Sequence, residues 1–275
     1  MSTEASLHGR STATEAETAH DSRAVDAAVV TAAVADADAD ALHVAPDWPV
    51  VPGAPSLTRA RGLLMREVVV VDGAGQRRQL AIPAERPLTI YVDRRELVTL
   101  MTLGSMPELL VLGYLCNQRL IDRVDQLASI TVDWEVGAAA VASRDGLPEL
   151  AQRSAHRVVT TGCGQGTVYG DLMARIETLA LPDAATARVD GATLSAMIDT
   201  VRRRDSVHRR AGSVHGCALF RGAELLVFVE DVGRHNAVDT ISGWMALHGV
   251  PGADKLLYTT GRLTSEMVMK AAQIG

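Results

Sequence analysis

Glu224-Leu225-Leu226-Val227-Phe228-Val229 is an apolar run that reads as a β-strand, and Glu230-Asp231-Val232-Gly233-Arg234-His235-Asn236 follows it as a dense polar loop. From Asn236 to His248 the chain reads as a helix. Just upstream, Gly216 to Phe220 is a second strand, close enough to form a hairpin with the run at 224–229. Downstream, Lys255 to Thr259 reads as a strand and Ser265 to Gln273 as a helix. Further upstream, a helix over Thr193 to Arg210 carries Leu194, Met197, Ile198 and Val201 on one face, and another is expected from about Gly170 to Leu179. This order predicts an α/β fold. Its sheet is mixed and flanked by helices, with a hairpin in the middle and a crossover as the last connection.

The chain before residue 150 reads as β-rich. Val68 to Val71 and Gln79 to Ile82 flank the turn Asp72-Gly73-Ala74-Gly75 as a hairpin, and Leu88 to Val92 is a third strand. Ile130 to Val136 and Ala138 to Ala142 are further strands around Gly137. Between them, Glu108 to Asn117 has Leu109, Leu112, Gly113 and Cys116 at helical spacing, which makes Cys116 a core residue. Residues 1–54 read as a disordered tail. They contain the low-complexity run Ala35-Asp36-Ala37-Asp38-Ala39-Asp40-Ala41 and then Pro46, Pro49 and Pro52. The expected organisation is thus a tail at 1–54, a β-rich portion at 55–150 and an α/β portion at 151–275.

Composition narrows the function classes. The chain has 275 residues, 47% of them hydrophobic, enough for a full core in one or two domains. Residues 1–45 hold eight acidic and two basic side chains, leaving 25 of each in the remainder. A formally neutral body suits small ligands and protein partners, not nucleic acid. Cys116, Cys163 and Cys217 lie far apart with no Cys-x-x-Cys pair, which argues against a disulfide framework or a structural zinc. The apolar run Ala27 to Ala35 lacks the preceding positive region of a secretory signal, and no run reaches membrane-spanning length. The chain is read as cytoplasmic.

Three loops could carry chemistry. In Val159-Thr160-Thr161-Gly162-Cys163-Gly164-Gln165-Gly166-Thr167, glycines leave the sulfur of Cys163 uncovered and let backbone N–H groups favour its thiolate. The other reading of Cys163 is a small apolar residue on a glycine turn. In the loop at 230–236, Gly233 permits the turn, Asn236 is a good N-cap, and Asp239 is placed as in a capping box. Asp231, Arg234 and His235 are left to hold an anion and move a proton, or else to form a solvated ion pair. In Thr260-Gly261-Arg262-Leu263-Thr264-Ser265-Glu266, Thr264 caps the following helix and Arg262 stands beside its N-terminus, where unpaired N–H groups favour anions. His215, in a glycine loop before a strand, is either a site residue or an ordinary packed histidine. The basic residues Arg202, Arg203, Arg204, Arg209 and Arg210 form either a solvated face or a surface for an acidic partner.

Several of these segments, together with Glu85-Arg86-Pro87-Leu88-Thr89-Ile90-Tyr91-Val92 and Glu96-Leu97-Val98-Thr99-Leu100-Met101, resemble the FdhD family of formate dehydrogenase accessory sulfurtransferases. The most specific matches are Glu230 to Asp239 and Thr260 to Met267, and the resemblance runs from about Leu63 to Gly275. It implies a cytidine-deaminase-like fold and a homodimer, without the zinc residues that deamination needs. It further implies that Cys163 carries a persulfide taken from a cysteine desulfurase. The sulfur is then delivered to a molybdenum (or tungsten) bis-guanine-dinucleotide cofactor, bound as substrate, for the catalytic subunit of formate dehydrogenase. His215, Asp231, Arg234, His235, Arg262 and Thr264 are the expected cofactor-binding residues, with no resident metal. Two departures stand out. The family's Cys-Gly-x-Cys-Gly loop matches Cys163-Gly164-Gln165-Gly166-Thr167, so Gly166 occupies the second cysteine position. The family also continues past the position of Gly275 with a further strand, so the chain is expected to be truncated. The rival reading is a cofactor-binding chaperone that moves no sulfur, and a third is a cysteine-nucleophile hydrolase.

Overall fold

The computed structural model describes residues 43–44, 48–147, 150, 157–158, 168–169, 181–183, 185 and 187–275. The loop at 159–167 and the helix expected near 170–179 lie outside the described residues, apart from the short strand residues Val168 and Tyr169.

Two sheets enclose two helices. The first sheet has five strands: β2 (Ser56–Leu57), β5 (Arg86–Val92), β6 (Arg95–Thr102), β7 (Leu127–Asp133) and β8 (Ala138–Ser143), in the order β2-β7-β8-β5-β6. It is mixed, because β2 pairs with β7 and β5 with β8 in parallel while the other neighbours are antiparallel. β3 (Met65–Val71) and β4 (Arg77–Pro83) form a separate hairpin, with Asp72 Oδ1 accepting from Ala74 N and Gln76 N in its turn. The second sheet is built from β1 (His43–Val44), β11 (His215–Arg221), β12 (Glu224–Asp231) and β13 (Leu256–Thr259), in the order β1-β12-β11-β13. The remaining strands, β9 (Arg157–Val158) and β10 (Val168–Tyr169), pair only with each other.

The expectation of mixed pairing around 216–259 is corrected here, since every neighbour in the second sheet is antiparallel. The crossover after β12 is present, but it skips a strand. β13 lands beside β11 and antiparallel to it, so the hairpin partner separates the two parallel strands. The mixed sheet is the five-stranded one.

Alternation along β11 and β12 sends Cys217, Leu219, Val227 and Val229 to one face and Ala218, Phe220 and Phe228 to the other. A bulge between Leu219/Phe220 and Val227/Leu225 turns Leu226 to the same face as Val227. Helix α1 (Pro107–Asn117) packs on the five-stranded sheet through Leu110, Val111, Leu112, Tyr114 and Leu115. The long helix that follows β12 (Arg234–His248, called α4 below) packs on the second sheet through Ala237, Val238, Ile241, Trp244 and Met245. The two helices meet back to back at glycines. A Cβ on Gly113 would stand 1.7 Å from the Asp239 carbonyl oxygen, and one on Gly243 would stand 2.0 Å from that of Leu109.

The helix expected over 193–210 is two helices, α2 (Gly191–Arg203) and α3 (Val207–Ala211). The break falls at Asp205-Ser206, because Ser206 turns extended and its hydroxyl accepts from Arg209 N, an N-cap that outweighs continuity of the apolar face. α5 (Ser265–Ile274) ends the described chain. Among the described residues no helix is long and apolar enough to cross a membrane.

Part of the stretch read as tail is ordered against the second sheet. His43 and Val44 pair with Phe228 and Val227, Val51 N donates to the Leu247 carbonyl, and the ring of Trp48 meets Trp244 edge-on at 5.5 Å. A cut before Leu42 should therefore leave the thermal transition of the body unchanged. A cut after Val50 should lose about 2 kcal/mol, the scale of one aromatic pair plus an indole's partial burial. Denaturant melts of the two truncated proteins decide this, and equal stability would return residues 43–50 to the tail.

Candidate anion site at the sheet edge

β11 begins at the edge of the sheet where β12 and β13 end, so three segments meet there. His215 pairs with Asp231, and Thr260 N donates to the Gly216 carbonyl while Thr260 Oγ1 accepts from Gly216 N. α4 starts just after β12 and α5 just after β13. Nε2 of His235 lies 3.1 Å from Glu266 Oε2, and Nζ of Lys270 lies 2.8 Å from Asp239 Oδ2. The two pairs are four residues apart on both helices, so α4 and α5 run parallel and side by side. Their N-termini open at the same edge. Neither N-cap, Gly233 or Thr264, makes a side-chain cap hydrogen bond. Two helix N-termini, with the positive ends of their dipoles, thus face one place.

Cations gather there as well. Burial first, then the charges of Arg234, His208, Arg262 and His235, hold His215 below the ordinary histidine range. The guanidinium groups of Arg234 and Arg262 give this edge a positive character that favours a bound anion. Arg234 is 7% exposed and His235 2% exposed. Arg234 Nε, His235 Nδ1, Thr264 Oγ1 and Glu266 Oε1 are buried and have no hydrogen-bond partner among the described residues. Buried polar atoms left unpaired are costly, and an anion would satisfy the donors among them, on Arg234, His235 and Thr264. Burial would raise the Glu266 carboxyl, but the hydrogen bond and charge of His235, with Lys270 and Arg234, outweigh it and hold that carboxyl below its usual range. Gly261 lets Arg234 lie across the loop, since a Cβ there would stand 2.6 Å from Arg234 Cδ. Gly212 and Ser213 both take positive φ (68° and 56°) to bring the chain into His215, a conformation that a non-glycine residue such as Ser213 rarely adopts.

Of the expected site residues, the edge brings together His215, Arg234, His235, Arg262 and Thr264. Asp231 lies beside them but is turned away: Oδ2 accepts from Thr102 Oγ1 and Leu103 N, and Oδ1 from Gly233 N and Asn236 Nδ2. Cys163 lies outside the described residues. The N-cap expectation for Asn236 is corrected. Gly233 is the N-cap, and Asn236 sits inside the first turn with its amide on Asp231 and on the Met101 carbonyl. Asp239 forms no capping box, because it is committed to Lys270 and to Asn117 Nδ2. Thr264 does hold the N-cap position, but its hydroxyl stays free of the backbone. Glu266 was missed as a site residue. Its only signal in sequence is an acid in the first turn of a helix, and its pairing with His235 depends on the parallel alignment of α4 and α5.

The two described thiols are poor sources of thiolate. Cys217 is fully buried, and burial pushes its thiol up to about 12 against the opposing hydrogen bond with Thr259, with a smaller push from the Asp231 charge. Burial and the Asp239 charge push the Cys116 thiol up to about 12 as well.

Comparison with known proteins agrees with the motif resemblance. The model of the FdhD/NarQ family matches residues 83–275. A sulfur carrier protein FdhD from Halalkalibacterium halodurans is 30% identical over 216 residues, covering 76% of this chain and 77% of its own length. Another from Geobacillus kaustophilus is 32% identical over 203 residues, covering 70% and 73%. A crystal structure from Desulfotalea psychrophila, described as that of a formate dehydrogenase accessory protein, superposes with a TM-score of 0.59 at 27% identity, covering 77% of this chain and 79% of that one. On the extent of the family match, this chain belongs to the FdhD/NarQ family.

Proposed function

We propose that the protein is a cytoplasmic sulfur carrier and formate dehydrogenase accessory protein, acting through a persulfide on Cys163. The observation that carries this reading is the state of the other two thiols. With both pushed up to about 12, neither offers a thiolate at neutral pH, and Cys163 is the remaining cysteine. The Cys163 thiolate attacks the outer sulfur of a cysteine desulfurase persulfide. A new S–S bond forms, the donor S–S bond breaks, and the donor cysteine leaves as a thiolate. The outer sulfur is then transferred to the reduced metal of a molybdenum or tungsten bis-guanine-dinucleotide cofactor: the S–S bond breaks, the metal supplies the two electrons that make the sulfur a sulfido ligand, and Cys163 leaves as a thiolate. The cofactor is cargo, held by its phosphates at the edge formed by His215, Arg234, His235, Arg262 and Thr264. The finer fold assignment as cytidine-deaminase-like, a homodimeric state and docking to the catalytic subunit of formate dehydrogenase belong to the same reading. Mass spectrometry after incubation with a desulfurase and cysteine tests it. A mass increase of one sulfur on the Cys163 peptide is expected, and its absence would remove the carrier function.

The rival is a cofactor-binding chaperone without sulfur transfer. Gly166 at the second cysteine position favours it, because a single thiol has no neighbour with which to resolve a persulfide. In that case the cofactor binds and no sulfur is taken up.

The anion edge makes its own prediction. Guanine nucleotides should raise the melting temperature. Arg234→Ala or Arg262→Ala should weaken binding about tenfold, the scale of one charge-assisted hydrogen bond. Arg203, on an exposed helix face and paired with Asp199, should be replaceable by alanine with little effect. Binding should also weaken as salt rises. Equal losses at Arg203 and Arg262 would place the anion elsewhere.

A further inference from the structure

Glu230 and Asp231 end β12 side by side, each 2% exposed, in the middle of the cationic edge. We infer that both are positioning residues: their carboxylates hold the two segments that carry the cations and do not touch the bound anion. The inference rests on the anion-edge reading above.

Successive strand residues point to opposite sides, and these two do so. Glu230 reaches α3, where Oε2 accepts from Val207 N at 2.6 Å and Oε1 from His208 N at 3.1 Å. That grip sets the place of His208, one of the charges felt by His215. Asp231 reaches the end of β6 in the other sheet and takes four donors, from Thr102, Leu103, Gly233 and Asn236. A carboxylate has about four acceptor positions, so Asp231 has none left for a ligand. Only Val232 and Gly233 separate it from Arg234. With Gly233 N fixed to Asp231, and Asn236 bridging Asp231 to the Met101 carbonyl, the first turn of α4 is clamped to the five-stranded sheet. Arg234 and His235 take their places from that clamp. Burial raises both carboxyls, Asp231 to about 6, so neither is there because an ionised acid is comfortable in the interior.

The sign of one measurement separates positioning from the alternatives. A carboxylate this close to an anion repels it, so Asp231→Asn would tighten anion binding if charge were all that mattered. If Asp231 positions the turn, the same change weakens binding, because the amide keeps one acceptor and puts an N–H group against donors. Isothermal titration of the full-length protein with inorganic pyrophosphate should show about a tenfold loss for Asp231→Asn. Thr102→Val, which removes one donor from the other sheet without altering charge, should show about a threefold loss. Pyrophosphate binding by Asp231→Asn that equals or exceeds that of the unmodified protein overturns the inference. Should that variant fail to fold, unchanged binding by Thr102→Val overturns it alone. Ring resonances of the histidines give a second readout. Thr102→Val should shift His235, and Glu230→Gln should shift His208 and His215 while leaving His235 in place; a His235 signal that ignores Thr102→Val counts against the clamp. If the unmodified protein binds no pyrophosphate, the anion-edge reading fails, and these resonances still decide whether the carboxylates position the turns.

Discussion

Cys163→Ser yields a folded protein that takes up no sulfur and leaves formate dehydrogenase inactive. An alcohol can neither attack a persulfide as a thiolate does nor hold a sulfur for release, so the expected loss is complete. Reactivity gives the same result before any partner is added. A thiol at about 12 is ionised in roughly one molecule in 10⁵ at pH 7, whereas a free thiol near 8.5 is ionised in a few per cent. Because a thiolate of higher pKa is intrinsically the stronger nucleophile, Cys163 should be alkylated about a hundred times faster than Cys116 or Cys217. Mass mapping after brief treatment with iodoacetamide checks this, and Cys217→Ser should leave the pattern unchanged. Full activation of formate dehydrogenase by Cys163→Ser would leave the chaperone reading in its place.

The parts of the fold legible in sequence are those whose signals are local. β12, α4, β13 and α5 follow from one apolar run, one polar loop and the helical spacing after it. The loops that carry His215, Arg234 and Arg262 each adjoin a strand end, so their convergence at one edge follows from the strand order. What sequence does not carry is the set of partners from the other sheet. Asn236 looks like an N-cap because asparagine often is one, yet its amide is taken by Asp231 and by Met101, 135 positions away. The Glu224–Asp231 strand runs two residues further than its apolar part, since Glu230 and Asp231 are buried by donors from α3 and β6 that no local pattern announces. The start of β6 is hidden in the sequence for a similar reason. Arg95 and Glu96 at its start look like loop residues, and only the pairing with β5 makes them strand.

Gly113→Ala and Gly243→Ala should each destabilise the protein by about 3–5 kcal/mol, at the severe end for single substitutions. Both glycines sit where α1 and α4 cross with backbone against backbone. An added Cβ at Gly113 would stand 1.7 Å from the Asp239 carbonyl oxygen, and one at Gly243 would stand 2.0 Å from that of Leu109 and 2.8 Å from Gly113 N. Main-chain atoms cannot swing aside as a long side chain can, so the helices must separate by more than an ångström. That separation opens gaps on both sides, because α1 is packed against one sheet and α4 against the other. It also strains the buried chain from Asn117 through Asp239 to Lys270, which ties α1, α4 and α5 together. Alanine's better helix propensity, about 1 kcal/mol over glycine, offsets only part of this. Gly191 at the start of α2 is the control, since a Cβ there meets nothing within 4 Å. Gly191→Ala should be neutral or slightly stabilising in urea melts, while both core changes shift the midpoint sharply downward. Core variants as stable as Gly191→Ala would mean that the two helices do not cross at these glycines, and the back-to-back packing of α1 and α4 would have to be redrawn.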